Sequence, residues 1–129
     1  MFEELRKMLD VSEDFVDKKA AAIGSKIDML KAVSEIVKER DRQVSKEGWS
    51  HEHDDMYKDG ELAKAASCYT LFASLSEDKL DEAKQTVPEM WPWAPDWWKP
   101  KGRHDALTKA GALLLAEKER LARQEGKED

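Results

Sequence analysis

Three ionisable residues stand where the pattern asks for apolar ones. At spacings of three and four, Leu30, Val33, Val37, Arg40 and Val44 form one series. Glu61, Ala65, Cys68, Phe72 and Leu75 form a second, and Leu107, Ala110, Leu114, Glu117 and Leu121 a third. That spacing traces one face of a helix. A carboxylate or guanidinium on such a face is costly to bury unless it is paired or bound to something. Arg40 paired with Glu61 or Glu117 would be a bridge that fixes register. Carboxylates turned towards a cleft would instead hold a cation or a polar ligand, and a stripe edge exposed at a helix end gives the same pattern.

Two further segments carry side chains suited to chemistry. His51, Glu52, His53, Asp54 and Asp55 lie together. Imidazoles and carboxylates are metal ligands, but the two histidines are two apart and do not share a helical face. Acidic residues at a helix start also stabilise it through the macrodipole. Asp54 and Glu61 are seven apart and would share a face if one helix carried both. The second segment, PEMWPWAPDWWKP from Pro88 to Pro100, contains four prolines and four tryptophans. Trp91, Trp93, Trp97 and Trp98 suit stacking on a nucleobase, a partner surface, or a lid over a helical bundle. Cys68 lies in mid-stripe and reads as inert core. No Gly-rich phosphate loop or nucleophilic triad is visible.

The elements that must position these residues are helices. The expected fold class is all-α, an antiparallel bundle of about five or six helices with an irregular Trp/Pro-rich loop before the last. A short helix is expected over Phe2 to Leu9. Ser12 caps a second that stops at Gly24, and Ser25 caps a third that ends near Gly48. Trp49 to Asp55 reads as a polar connector and Met56 to Leu75 as a helix. Ser76 starts a shorter one ending at Pro88, and a last helix runs from His104 to Arg123. Gly60 and Gly111 fall inside helices on this reading, each costing about 1 kcal/mol relative to Ala. Both have small neighbours, which points to close helix approach. The organisation is one domain: an N-terminal helical extension (1–24), a bundle core (25–123) and a charged tail (124–129).

At 129 residues the chain can bury a core without staples. Its net charge of −6 opposes binding to phosphate backbones, so a nucleic-acid partner is not expected. The single cysteine fits a reducing cytoplasm. The N-terminus lacks the layout of a secretory signal, and the apolar run near Ala110 to Ala116 is too short for a bilayer, so no membrane partner is expected.

The segments ERDRQ (Glu39 to Gln43), EGW (Glu47 to Trp49), HEHDD (His51 to Asp55) and GELAKAA (Gly60 to Ala66), followed by WPW, WWKP and KAGALLLAEKERL, resemble a group of small bacteriophage and prophage proteins. The resemblance covers roughly Ile36 to Arg123. More distantly the layout is similar to phage MazG-like proteins, all-α nucleotide pyrophosphatases. That likeness implies magnesium held by acidic side chains of paired helices, and water attack on a nucleoside triphosphate with release of pyrophosphate. It implies Glu61 and Asp105 as catalytic residues and magnesium ligands, completed by Asp54, Asp55 and Glu117. Arg40, Lys109, Trp97 and Trp98 would contact substrate. Two glutamates of the family motif fall on Tyr57 and Lys58 here. The other expectation is a non-enzymatic phage accessory protein that binds a host protein or a small nucleotide through the tryptophan loop. Self-association into a homo-oligomer and a host-cell cytoplasmic location go with either.

Overall fold

The computed structural model describes residues 13–128. The helix expected over Phe2 to Leu9 and the Ser12 cap lie outside them. The described residues contain five α-helices and no strand: α1 (Glu13–Ser45), α2 (His51–Asp54), α3 (Glu61–Ser74), α4 (Leu80–Lys84) and α5 (Arg103–Glu128). Single 3-10 turns lie at Glu77–Lys79 and Pro95–Trp97. The all-α class therefore holds. None of these helices is long and apolar enough to cross a membrane.

The chain forms two compact units, residues 1–35 and 36–129. In the first, the described residues are helical, and Ile23, Ile27, Leu30 and Val33 are exposed. In the second, α3 packs on α5. Arg103, at the start of α5, donates to the carbonyl of Leu75 at the end of α3. Glu61, at the other end of α3, contributes to the field on Arg120. The two helices are therefore antiparallel. Small residues let their backbones close up: Ala65, Ala66 and Ala73 on α3, and Ala106, Ala110, Ala112 and Ala116 on α5, are buried beside Leu62, Phe72 and Leu113.

Several expected boundaries move. Gly24 does not stop a helix: α1 runs through it, and among the described glycines only Gly48 and Gly60 take the left-handed turn with which glycine commonly ends a helix. The expected second and third helices are thus one. Gly48, at φ 75°, does lie in the turn after α1, where Trp49 N–H returns to the Gln43 carbonyl at 3.0 Å. Ser50 caps α2 through His53 N–H, so His51 to Asp54 is a helical turn rather than connector. The next helix starts at Glu61, not Met56, because Gly60 is its left-handed cap at φ 81°. Gly60 is therefore not helix interior. Gly111 is, and it marks a close approach: a Cβ there would stand 2.7 Å from Ile36 Cδ1.

The three stripes fare differently. The Glu61 series holds, with Ala65, Cys68 and Phe72 buried. On α5 the buried line is Ala106, Ala110, Leu113, Ala116 and Arg120, and Leu107, Leu114 and Leu121 are exposed. On α1, Val37 and Val44 are exposed while Arg40 and Gln43 are buried. The inward face there is polar, which a hydrophobic pattern does not mark.

Candidate functional site

The tryptophan loop is nailed down at two points. Trp91 and Trp98 are buried against Tyr69, with ring centroids 5.5 and 5.1 Å away. Trp98 Nε1 donates to the Ala83 carbonyl at 3.1 Å, and Trp91 Nε1 to that of Ala94 at 3.2 Å. These two residues supply the lid expected of the loop. Trp93 and Trp97 are left over, and both line a cavity of about 390 Å³.

That cavity lies within the second unit. Its walls come from the end of α1 (Arg42, Gln43), from Trp49, from α2 and the turn after it (His53, Tyr57), from Tyr69 on α3, from the loop, and from Lys109 and Leu113 on α5. Its aromatic side is continuous. Trp49 stacks on His53 with rings 10° from parallel, His53 meets Tyr57 edge-on at 5.1 Å, and Trp93 leans on both Tyr57 and Trp49. Trp49 precedes the Ser50 cap and Tyr57 follows the Asp55 cap, so the row is assembled by the turns that flank the single-turn α2.

Behind this wall runs a polar chain. Asp54 is fully buried and accepts from Arg40 Nη2 at 2.7 Å. Its other oxygen lies 3.5 Å from His53 Nδ1, and His53 Nε2 lies 3.2 Å from the Tyr57 hydroxyl. Burial raises the Tyr57 pKa above its usual value, with the charges of Asp54 and Glu61 adding to it. Burial, then Asp105 and Glu39, push Tyr69 up to about 12. Both phenols stay neutral near pH 7.

The rim carries cations. Arg42 is held charged by the hydrogen bonds it donates first to Glu39 and then to Glu47. Lys109 Nζ lies 3.1 Å from Asp105 Oδ2, bonds the Lys99 carbonyl at 3.3 Å and stands 5.7 Å above the Tyr69 ring. Lys99 also lines the cavity. Two wall residues have buried polar atoms with no hydrogen-bond partner, Gln43 Oε1 and Trp93 Nε1. Gln43 is only 2% exposed.

Of the expected metal ligands, Glu117, Asp55 and Glu61 all act on one cation, Arg120, and do not form an open metal site, and Asp105 lies apart. Glu61 accepts from the backbone N–H of Asp59 at 2.6 Å. Asp105 pairs with Lys109 at the far end of the antiparallel pair, and the 14 residues of α3 separate it from Glu61 by roughly 20 Å. Asp54 is taken by Arg40, and Glu117 by Arg120, whose charge it stabilises. Asp55 is held below the usual carboxylate range chiefly by its hydrogen bond from Arg123. Among the described residues no group of three or more His, Cys, Asp or Glu could hold a metal ion. The side chains present do not fit a shared magnesium ion. Arg40 pairs with Asp54 and Glu119, not with Glu61 or Glu117.

Of the expected substrate contacts, Trp97 and Lys109 line the cavity, whereas Trp98 is core and Arg40 sits behind the wall. Trp93, one of the four tryptophans suited to stacking, lines it too, whereas Gln43, Trp49 and Tyr57 were not expected as binding residues and His53 was considered only as a metal ligand. Comparison of the chain with protein-family models, with curated proteins and with solved structures gives no match.

Proposed function

We propose that this chain is a small-molecule-binding domain whose ligand is a mononucleotide, held in the cavity under the tryptophan loop. The observation that carries this reading is the combination of a continuous aromatic wall and a lysine-bearing rim in one cavity of about 390 Å³. The volume lies in the range of small-ligand sites. Stacking surfaces suit a flat ring, and Lys99 and Lys109 suit a phosphate, whereas Arg42 is already taken by Glu39 and Glu47. A quaternary ammonium also favours aromatic cages, but with Arg42 and Glu47 paired to each other the charges left along the cavity are the cations Lys99 and Lys109.

The proposal is one of binding. Magnesium-dependent release of pyrophosphate, which the family likeness implies, needs carboxylates grouped at the phosphate end. The acidic residues expected for that role are committed to arginines, to Lys109 or to a backbone N–H.

Isothermal titration of the chain with a panel of nucleoside monophosphates tests the reading. Saturable one-to-one binding is expected. Trp97→Ala removes a half-exposed stacking face at the rim. Its expected cost is about 1–3 kcal/mol of affinity, without loss of the fold. Absence of binding across the panel would refute the proposal.

A further inference from the structure

Three tryptophans of the loop are held by partners and one is not. Trp91 and Trp98 are buried, donate their indole N–H groups to backbone carbonyls and pack on Tyr69. Trp93 touches the rings of Trp49, Tyr57 and Trp91. Trp97 makes no ring contact and no side-chain hydrogen bond among the described residues, yet it lines the cavity and is 53% exposed. Its backbone is fixed. Pro95 opens the 3-10 turn Pro95–Trp97, the Trp97 N–H returns to the Ala94 carbonyl at 3.0 Å, and the next residue is the buried Trp98. The freedom at this point lies in the side chain, whose rotation breaks no hydrogen bond or ring contact. A large apolar face left half in water at the rim of an aromatic cavity gains by covering a ligand.

We infer, resting on the nucleotide reading, that Trp97 is a side-chain lid: it stands open in the free chain, closes on the ring of the bound nucleotide and sets how long the ligand stays. Closing after encounter has a kinetic signature. A face that meets the ligand only once it is seated raises the barrier to leaving and does not change the barrier to entering. A gate that has to swing aside slows entry, so its removal speeds association. The exposure of Trp97 in the free chain and its lack of a ring partner fit the lid and not the gate.

Stopped-flow rates for adenosine, guanosine, cytidine and uridine monophosphate, measured on the unmodified chain and on Trp97→Ala, test the lid. Trp97→Ala is expected to speed dissociation by roughly 5- to 150-fold, the range of one lost base–aromatic stack. Association is expected to change by less than about threefold. Trp97→Phe, which restores a ring, is expected to recover most of the residence time. Acrylamide quenching gives a readout that a structural role would not move: saturation with nucleotide is expected to shield Trp97 in the unmodified chain, and that increment of shielding is expected to vanish in Trp97→Ala. Equal dissociation rates in the two chains, or association speeded beyond about threefold by Trp97→Ala, overturns the inference and leaves the nucleotide reading standing. Binding of none of the four nucleotides by the unmodified chain overturns both.

Discussion

Removal of the Asp54 carboxylate is the most informative single change. Asp54 is fully buried, and Arg40, which it pairs at 2.7 Å, is only 7% exposed. With Asp54→Ala the guanidinium keeps one partner, Glu119, at 3.3 Å, and that side chain is 42% exposed. Arg40 Nη1 already lacks a hydrogen bond. Two unit charges about 4 Å apart attract by about 4 kcal/mol at an effective dielectric near 20. Stranding one member of a buried pair typically costs about 3–5 kcal/mol. Glu119 recovers part of this, so a loss of about 3 kcal/mol is expected, a large share of the 5–15 kcal/mol typical of a domain. Urea denaturation followed by tryptophan fluorescence reads it as a midpoint lowered by about 2 M, for a slope of about 1.5 kcal/mol per M. Glu119→Ala, at the exposed end, is expected to cost less than about 1 kcal/mol. Arg40→Leu combined with Asp54→Leu removes both charges and is expected to be less destabilising than Asp54→Ala. A midpoint change below about 0.5 M for Asp54→Ala, or a double variant worse than the single, would refute the reasoning that buried charge, not packing volume, sets the cost.

Gly111→Ala gains about 1 kcal/mol of helix propensity, but its Cβ would stand 2.7 and 2.9 Å from Ile36 side-chain atoms. Net destabilisation of about 1 kcal/mol is expected in the same urea assay, and a stabilised variant would show that Ile36 yields freely. Alkaline pH should unfold the protein through Tyr69. Its folded pKa of about 12 exceeds the usual 10, so above pH 10 the unfolded state releases a proton that the native state keeps. Stability is therefore full below pH 10 and falls by about 2–3 kcal/mol as pH rises to 12, which denaturation midpoints across that range would record. Burial also raises the Cys68 thiol above its usual pKa. An aromatic disulfide reagent should react with it slowly in the native protein and rapidly in urea, and equal rates would contradict its burial.

The helical class was legible because hydrophobic spacing of three and four recurs along the chain, and the α3 face came out residue by residue. The α1 face did not. Val37 and Val44 are apolar and exposed, while Arg40 and Gln43 are polar and buried. A pattern built on hydrophobicity selects the wrong pair wherever the interior is satisfied by an ion pair such as Arg40–Asp54. Gly24 misled for a related reason: a glycine can end a helix, commonly by turning left-handed, and residue type alone does not decide that turn. Gly60, read as interior, is left-handed too, but stands at the start of α3. The candidate site was half visible. Trp97 and Lys109 were marked by residue type, but Trp98 could be told from Trp97 only by the core contacts it makes with Tyr69 and Phe72. The separation of Glu61 from Asp105 comes from the antiparallel packing of α3 on α5, a property of the tertiary fold and not of local spacing.

The central claim, a nucleotide in the tryptophan-walled cavity, is tested most directly by the indole N–H signals in a ¹⁵N–¹H correlation spectrum. The chain has five tryptophans. On titration with a nucleoside monophosphate, the Trp93 and Trp97 indole signals are expected to move, because both residues line the cavity. The Trp98 signal, already bonded to the Ala83 carbonyl and buried in the core, is expected to stay in place. A spectrum in which no indole signal moves, or in which Trp98 moves and Trp93 does not, would contradict the account.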